Sequence, residues 1–272
     1  MKFADLHLHT AFSDGTYTPE ELVAESGRQG LSCIAVVDHD TVDGVGLTIE
    51  AGLRNGVEAL PGIELTAEYD GLEVHILGYL VDYRQKVLKE RLDILKNNRV
   101  DRIHKMVDKL KAIGITLPAQ AVFDIAKGGA VGRLHVARAM VKQGVVGNVN
   151  EAFTRYIGDR SPAYICGFRF EPKEAIRLIR SVGGIPVLAH PYQLRRDELI
   201  PEFVACGLMG LEVYYPEHTQ SMVNFYLRLA QKYNLLVTGG SDCHGTAKPE
   251  VKIGSIKIHY ALVENLKAAK DS

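Results

Sequence analysis

The sequence predicts an α/β protein: a barrel of mostly parallel strands, interrupted by an inserted all-helical subdomain. Seven apolar runs of strand length recur along the 272-residue chain, and predicted helices separate most of them. One long stretch shows helical patterning only. Alternating strands and helices imply a mostly parallel sheet with right-handed crossovers. Seven strands over this length favour a barrel over an open sheet.

The predicted strands are short apolar runs. They are Phe3 to Leu8, Cys33 to Val37, Leu60 to Leu65, Val74 to Leu77, Ile185 to Ala189, Leu208 to Tyr214 and Leu235 to Thr238. The helix after the first strand has a clear start, because Thr18 can cap it, Pro19 suits its first position and Glu21 completes a capping box. Other helices are predicted from Glu171-Pro172 to Gly183-Gly184 and from Thr219 to Tyr233.

The stretch without strands runs from about Gln85 to Tyr156. Its predicted helices are Val87 to Ile113, Ala119 to Ala126, His135 to Lys142 and Asn150 to Tyr156. Consecutive helices do not fit a strand–helix repeat, so we interpret residues 85–159 as an inserted helical subdomain, the cap. Residues 1–84 and 160–272 would then form the barrel.

The composition, with 46% hydrophobic and 24% charged residues, is that of an ordinary globular protein. A net charge of −1 argues against a broad nucleic-acid-coating surface.

No apolar run reaches the roughly 20 residues that span a bilayer, and no signal-peptide pattern is evident, so we expect a cytoplasmic protein without membrane association. The scattered cysteines include no CxxC pair and are expected to be reduced thiols.

Histidines and carboxylates stand at or near the carboxyl ends of six predicted strands. In the segment DLHLH, His7 and His9 share one face because side chains alternate along a strand, and Asp14 follows in a turn. The other candidates are His39, Glu64, His75, His190, Asp242 and His244. The carboxyl ends of parallel barrel strands form a single rim, which is where active sites are built.

Each of these residues has an ordinary explanation when it is taken alone. A histidine such as His75 on an apolar strand is more often hydrogen-bonded in the core or on the surface than bound to a metal. Ordinary structural roles explain six such strand ends less well, because each polar group buried without a partner costs roughly several kcal/mol. At three or four ligands per ion, nine candidates predict two or three divalent ions. Imidazole and carboxylate without thiolate suit Mn²⁺, Zn²⁺ or Fe²⁺.

In sequence order, these motifs resemble the metal-binding motifs of the polymerase and histidinol phosphatase (PHP) superfamily. The matching features are DLHLH, the Asp14 turn, DHD, Glu64, His75, AHP and SDCH, within about residues 1–80 and 160–272. The helical insert resembles that of short bacterial members that act on nucleoside 3′,5′-bisphosphates and short RNA 5′ ends. The resemblance implies a distorted (β/α)₇ barrel that holds a trinuclear metal centre.

The resemblance also implies which ligands hold each ion. His7, His9, Glu64 and Asp242 would hold the first; Glu64 would bridge to the second, bound also by His75 and His190; Asp14, His39 and His244 would hold the third. Some superfamily members carry histidine at the position of Asp14, so the third site of this chain is richer in oxygen.

Clustered divalent ions suit phosphoester hydrolysis, because they lower the pKa of a bridging water and stabilise the attacking and leaving oxygens. We therefore predict a phosphoric ester hydrolase that uses a metal-bridging hydroxide. The chain has no GxSxG, Walker A or Rossmann motif. Asp40 is the candidate catalytic residue: it would protonate the leaving oxygen or orient a ligand histidine, and we favour the second role.

A phosphate substrate also needs cationic partners, and the cap offers two arrangements. Arg99 and Arg102 lie three residues apart, on one helix face. Arg133 and His135 stand at the start of another helix, where free N–H groups favour an anion. Helix arginines more often only solvate a surface, but related proteins use R..R and GR.H segments to grip a second phosphate. Two further candidates are Arg160 and His218.

We therefore predict a phosphatase for nucleoside 3′,5′-bisphosphates, with short 5′-phosphorylated RNAs as a further substrate class and no stable protein partner. The cap would bind the non-reacting phosphate. Histidinol phosphate or another small phosphomonoester is the alternative within this class. An amidohydrolase would need a lysine ligand at a strand end, which the sequence lacks, and a metal-stabilised binding module would have lost ligands.

Overall fold

The structure is a computed structural model that describes residues 1–159, 161–165 and 170–271. Its strands are β1 Phe3–Leu8, β2 Cys33–Val36, β3 Glu58–Tyr69, β4 Leu72–Tyr79, β5 Ile185–Leu188, β6 Gly210–Tyr214, β7 Leu236–Gly239 and β8 Ile258–His259. The first seven correspond to the predicted strands. β8 was not predicted, because its two residues are too few to form a recognisable apolar pattern.

The strands form one sheet in the spatial order β7-β6-β5-β4-β3-β2-β1-β8. Beyond the end of β7, Leu8 forms a parallel bridge with Cys243, and the Asp242 N–H donates to the carbonyl of His7, which nearly closes the sheet. The predicted α/β barrel is confirmed. Its sheet is mixed, because β4 is antiparallel to both β3 and β5.

The change of direction at β4 comes from a two-residue hairpin. Tyr69 pairs with Leu72, and the intervening Asp70 and Gly71 have φ values of 51° and 77°. Positive φ at both central residues is typical of the type I′ turn, whose twist suits a hairpin and whose preferred sequences include Asp-Gly. The Asp-Gly dipeptide therefore explains a reversal that the strand–helix alternation did not predict.

Helices flank the sheet. They are α1 Pro19–Arg28, α2 Val45–Asn55, α3 Lys86–Ala112, α4 Ala119–Ala126, α5 Arg133–Lys142, α6 Val149–Ala152, α7 Pro172–Ser181, α8 Pro191–Leu194, α9 Ile200–Ala205, α10 Gln220–Lys232 and α11 Tyr260–Lys270. A π-helical turn, Phe153–Ile157, follows α6. The predicted capping box at Thr18 and Glu21 is present. No helix in the described part of the chain is both long and apolar enough to cross a membrane.

The cap region, residues 85–159, contains α3 to α6 and the π-helical turn but no strand, and the structure describes all of it. Met106, Leu110 and Met140 belong to a hydrophobic cluster of the cap. The first turns of α3 instead pack Leu88 and Leu92 into the core of the barrel. The domain boundaries at 84/85 and 159/160 stay a prediction, and α3 ties the two parts together.

Candidate active site

The candidate ligands reach one rim of the barrel from several directions. His7 lies on β1, and His9 follows that strand directly. A parallel bridge joins His39, after β2, to Glu64 on β3, and His190 follows β5. Asp242 and His244 follow β7, in a loop that packs directly on β1. A Cβ atom at Gly240 would come within 2.3 Å of the His7 backbone nitrogen, so only glycine allows this approach.

His75 reaches the same rim in a way that the sequence analysis did not anticipate. It pairs with Thr66, in the first half of the antiparallel β4. Because β4 runs opposite to its neighbours, its amino-terminal half lies beside their carboxyl ends. The expectation that His75 lies near the carboxyl end of a parallel strand was therefore wrong, although the side chain lies among the other candidates.

The structure brings all nine candidate ligands into one connected cluster, the rim cluster. Three sets have possible ligand atoms within 4.8 Å of one another: His7, His9, Glu64 and Asp242; His9, Asp14, His39 and His244; and His39, Glu64 and His75. His190 Nε2 lies 3.2 Å from Glu64 Oε1 and 3.3 Å from His75 Nδ1. The first set matches the ligands expected for the first ion. His9 and His39 each belong to two of the sets.

Glu64 lies at the centre of the rim cluster and is fully buried. Its Oε1 is 2.9 Å from His75 Nδ1, and its Oε2 faces a second group of imidazoles: His7 at 3.1 Å, His9 at 3.2 Å and His39 at 3.4 Å. The two oxygens of one carboxylate therefore face different groups of histidines. This arrangement suits a carboxylate that bridges two ions.

Several buried polar atoms of the rim cluster have no hydrogen-bond partner. They are both ring nitrogens of His9, Oδ1 of Asp14 and Nδ1 of His39. His9 Nε2 lies 3.0 Å from Asp242 Oδ1, yet the pair does not have hydrogen-bond geometry. Buried polar atoms in native proteins are nearly always satisfied. Divalent ions would satisfy these atoms, and the mixture of imidazole and carboxylate fits such ions.

The charges of the rim cluster also favour cations. Burial raises the pKa values of Asp14, Glu64 and Asp242, but neighbouring histidines, and Lys248 beside Asp242, more than offset it and hold all three pKa values well below the usual range. Burial lowers the pKa of His9, yet Asp242 and Glu64 raise it to about 9. Protons on histidine thus partly balance the carboxylates in the metal-free protein. Metal binding would displace such protons.

A buried carboxylate that the sequence analysis missed supports the ligand histidines. Glu212, on β6, is fully buried; its Oε1 lies 2.8 Å from His7 Nδ1, and its Oε2 accepts a 2.8 Å hydrogen bond from the His190 N–H. It therefore fixes two candidate ligands from behind. Its signal was available in the sequence, since Glu212 interrupts an apolar run.

Two further residues that were not predicted from the sequence hold Asp242. The Tyr215 hydroxyl donates to Asp242 Oδ2 over 3.0 Å, and the Lys248 ammonium lies 3.3 Å from the same oxygen. Oδ1 of Asp242 instead faces His9. The carboxylate is thus oriented with one oxygen towards the histidines and the other held by donors. Lys248 also lines the cavity that opens beside the rim cluster, which adds a positive charge there.

A cavity of about 1200 Å³ extends from the rim cluster to the cap. Arg99, Arg102 and Arg133, which we call the arginine cluster, line it together with His39, His75 and His190. The predicted cationic side chains of the cap and the candidate metal ligands therefore share one space.

Arg99 is bound to the barrel. Its Nε donates to Asp40 Oδ2 over 2.6 Å, its Nη2 donates to Thr66 Oγ1 and its Nη1 donates to the Val131 carbonyl. Asp40 Oδ1 accepts the Thr66 N–H over 2.8 Å. Both oxygens of Asp40 are thus engaged in fixing Arg99 and the start of the hairpin. This arrangement favours a positioning role for Asp40 over proton donation, and its role stays a prediction.

Arg102 and Arg133 meet at a second missed carboxylate, Glu73. Each donates a 2.9 Å hydrogen bond to it, Arg102 to Oε2 and Arg133 to Oε1. The ring of Tyr164 lies against both guanidinium groups, at 5.6 Å and 5.4 Å. Arg133 also pairs with Asp159 at 2.7 Å. The two arginines are therefore held side by side in the wall of the cavity.

The remaining substrate-binding candidates are placed differently. His135 is buried, its Nδ1 accepts the Gly132 N–H, and burial lowers its pKa to about 4, so it is a neutral cap of α5. His218 bonds the Val213 carbonyl, packs against Tyr215 and Tyr226, and is not among the side chains that line the cavity. Arg160 lies outside the described residues. Substrate-binding roles for these residues stay predictions.

Known proteins resemble this chain over nearly its full length. The PHP domain model matches residues 5–109. A 5′-3′ exoribonuclease from Haemophilus influenzae is 33% identical, covering 88% of this chain and 89% of that protein. A phosphoribosyl 1,2-cyclic phosphate 1,2-diphosphodiesterase from Eggerthella lenta is 31% identical, covering 89% and 94%. A 3′,5′-nucleoside bisphosphate phosphatase from Chromobacterium violaceum is 29% identical, covering 93% and 91%.

A solved structure agrees with these relatives. A protein from Bifidobacterium adolescentis, assigned as a metal-dependent phosphoesterase, superposes with a TM-score of 0.90 at 32% identity, covering 97% of this chain and 95% of that one. The matches extend across both the barrel and the cap region. They agree with the connected cluster of imidazoles and carboxylates at the barrel rim. The chain belongs to the PHP family and is a metal-dependent phosphoesterase.

Proposed function

We propose that this chain removes a phosphate from nucleoside 3′,5′-bisphosphates and trims short 5′-phosphorylated RNAs from the 5′ end. The observation that carries the proposal is the single cavity that joins the rim cluster to the arginine cluster. A substrate with two phosphates can place one at each end of this space. A simple phosphomonoester has no second phosphate for Arg102 and Arg133 to bind.

We propose the ligand sets implied by the family resemblance: His7, His9, Glu64 and Asp242 for one ion; Glu64, His75 and His190 for a second; Asp14, His39 and His244 for a third. The unpartnered atoms of His9, Asp14 and His39 support these sets. Clustered divalent ions supply a water of lowered pKa and stabilise charge on the phosphoryl oxygens. The number of ions and their identity, Mn²⁺, Zn²⁺ or Fe²⁺, belong to the proposal.

The protein's own residues would then orient the substrate. Arg102 and Arg133 would bind the non-reacting phosphate, because a guanidinium can form paired hydrogen bonds with phosphate oxygens. Tyr215 and Lys248 keep Asp242 directed towards the histidines. Asp40 would hold Arg99 at the edge of the cavity. The cap would thereby select substrates by their second phosphate.

Two relatives support this substrate class. The Haemophilus protein is a 5′-3′ exoribonuclease, and the Chromobacterium protein is a 3′,5′-nucleoside bisphosphate phosphatase. The Eggerthella relative acts on a cyclic phosphate, which makes a cyclic phosphodiester the main competing substrate. The paired arginines favour the bisphosphate, because they offer cationic partners for a phosphate that does not react.

A substrate panel tests the proposal. Metal-reconstituted protein is assayed with adenosine 3′,5′-bisphosphate, adenosine 5′-monophosphate, a 5′-phosphorylated dinucleotide, histidinol phosphate and a ribose 1,2-cyclic phosphate. We expect the highest kcat/KM for the bisphosphate, with the dinucleotide next, measured as released phosphate or nucleoside. Exclusive activity on histidinol phosphate or on the cyclic phosphate would contradict the proposal. Inactivity on every substrate with metal bound would favour a binding module.

A further inference from the structure

Glu73 touches both ends of the candidate site. It is two residues before His75 on β4, so the two side chains lie on the same face of the strand. Its Oε1 lies 3.1 Å from His75 Nε2 and accepts a 2.9 Å bond from Arg133, while its Oε2 accepts a 2.9 Å bond from Arg102. One carboxylate thus joins a candidate metal ligand to two cap arginines.

The contact with His75 fixes the orientation of that imidazole. His75 Nδ1 faces Glu64 Oε1 at 2.9 Å and His190 Nε2 at 3.3 Å, whereas its Nε2 faces Glu73. A carboxylate that accepts one ring N–H leaves the other nitrogen free as a ligand. Glu73 therefore favours the His75 tautomer that carries its proton on Nε2 and directs the free Nδ1 into the rim cluster.

The contacts of Glu73 with the arginines fix the cap end of the candidate site. Arg102 and Arg133 enter from different helices of the cap, α3 and α5, and their side chains are only 9% and 15% exposed. Two guanidinium groups this close repel each other unless an anion lies between them. Glu73 supplies that anion. The spacing of the arginines is therefore set from the barrel, next to a metal ligand.

We propose that Glu73 is a positioning residue that couples the metal centre to the phosphate-binding end of the cavity. It orients His75 as a ligand and holds Arg102 and Arg133 at the spacing that receives the non-reacting phosphate. The second half of this inference rests on the proposed function, whereas the first half requires only that His75 binds metal. Loss of Glu73 should therefore weaken metal retention and substrate selectivity together.

The metal arm of the test uses Glu73→Gln, which preserves shape but removes the charged acceptor. Wild-type and variant proteins are loaded with Mn²⁺ and dialysed against increasing chelator, and bound metal is measured by elemental analysis. We expect one ion of the cluster to be held about 10- to 100-fold more weakly in the variant. In a His75→Gln background, Glu73→Gln should cause no further loss, because the effect acts through His75.

The selectivity arm compares kcat/KM for adenosine 3′,5′-bisphosphate with kcat/KM for adenosine 5′-monophosphate at saturating metal. Taking the ratio cancels any defect in the metal centre, which both substrates share. We expect Glu73→Gln to lower this ratio about tenfold, since charged hydrogen-bond pairs contribute on this scale. The ratio should not fall further in an Arg102→Ala/Arg133→Ala background.

Glu68 provides the matched control. It is the buried carboxylate directly across the hairpin from Glu73, and its Oε2 has no hydrogen-bond partner. Glu68→Gln should leave metal retention and the ratio unchanged. Should Glu73→Gln not fold, Glu73→Asp serves instead, because the shorter side chain cannot keep all three contacts.

Two outcomes overturn the inference: unchanged metal retention in Glu73→Gln, or the same losses in Glu68→Gln. A wild-type enzyme with no preference for the bisphosphate contradicts the proposed function instead. In that case the metal arm alone decides the role of Glu73.

Discussion

The two ends of the cavity satisfy their polar atoms in different ways. In the rim cluster, both ring nitrogens of His9 and single atoms of Asp14 and His39 are buried without a hydrogen-bond partner. In the arginine cluster, each guanidinium already bonds a carboxylate: Arg99 bonds Asp40, while Arg102 and Arg133 bond Glu73. Four buried ligand atoms at the first end thus lack hydrogen-bond partners, whereas the guanidinium groups at the second end have them.

This difference indicates how each end would bind its ligand. Unpartnered, preoriented ligand atoms gain interactions when an ion binds, so the rim cluster should bind metal tightly and be stabilised by it. Arginines already paired with carboxylates must share their donors with an incoming phosphate. The arginine cluster should therefore contribute selectivity between substrates more than overall affinity. Substitutions at the two ends should therefore differ in kind, with the largest effect expected at the rim cluster.

Glu64→Gln tests the rim cluster. Because Glu64 faces two groups of histidines, its loss should disrupt more than one ion and lower kcat by at least about 10³-fold, equivalent to about 4 kcal/mol. Phosphate release and metal content measure the effect. Glu21→Gln, a surface change in the capping box of α1, is the control and should retain full kcat. A Glu64→Gln enzyme with near-normal kcat would remove Glu64 from the centre of the site.

Arg133→Ala tests the arginine cluster. It should raise KM for adenosine 3′,5′-bisphosphate about 10- to 100-fold, because it removes charged hydrogen bonds, and should change KM for the 5′-monophosphate much less. Steady-state kinetics on both substrates measure the difference. Arg155→Ala, which removes another carboxylate-paired but exposed arginine of the cap, should change neither KM. Equal effects of Arg133→Ala on both substrates would contradict the role in selectivity.

The pH dependence of stability should separate metal-free from metal-loaded protein. Despite burial, carboxylate neighbours raise the pKa of His9 to about 9 and that of His75 to about 10. Because these folded-state values exceed the unfolded value of about 6.5, the stabilisation is present below that pH and is lost as pH rises through 9 and 10. Metal-free protein should therefore lose about 1 kcal/mol or more between pH 7 and pH 10.

Urea unfolding at a series of pH values measures this loss. Metal-loaded protein should show a much smaller loss over the same range, because bound cations replace the histidine protons. A metal-free protein whose unfolding free energy does not decline from pH 7 to pH 10 would contradict the proposed charge balance of the rim cluster.

Asp40→Asn should have the smallest effect on chemistry. Both oxygens of Asp40 accept hydrogen bonds, from Arg99 and from the Thr66 N–H, so we expect kcat to fall less than about tenfold. Loss of a general acid would instead cost about 10²- to 10⁴-fold and remove one limb of the pH–rate profile. The pH–rate profile of the variant decides between the two roles.

Some features of the site could be predicted because their signals are local. Strand alternation predicts that His7 and His9 share one face, and both imidazoles lie against Glu64 Oε2. The capping box at Thr18 marks the start of α1. Glu73 could not be predicted, since its partners lie 29 and 60 residues away on cap helices. Its position in an apolar strand looks the same in the sequence as that of any half-buried glutamate. Glu212 is marked in the sequence by the apolar run that it interrupts, but it acquires its role only where β6 passes behind His7.

By itself, the sequence determined the first seven strands and the types of side chain near their ends, because periodicity and residue chemistry are properties of neighbouring positions. The tertiary structure alone decided which of these side chains meet. It reversed β4 at Asp70-Gly71, brought His75 to the rim from an antiparallel strand, and placed Glu73 between that histidine and the arginines of the cap. The physical reason is that such contacts depend on strand direction and on packing between segments distant in the chain.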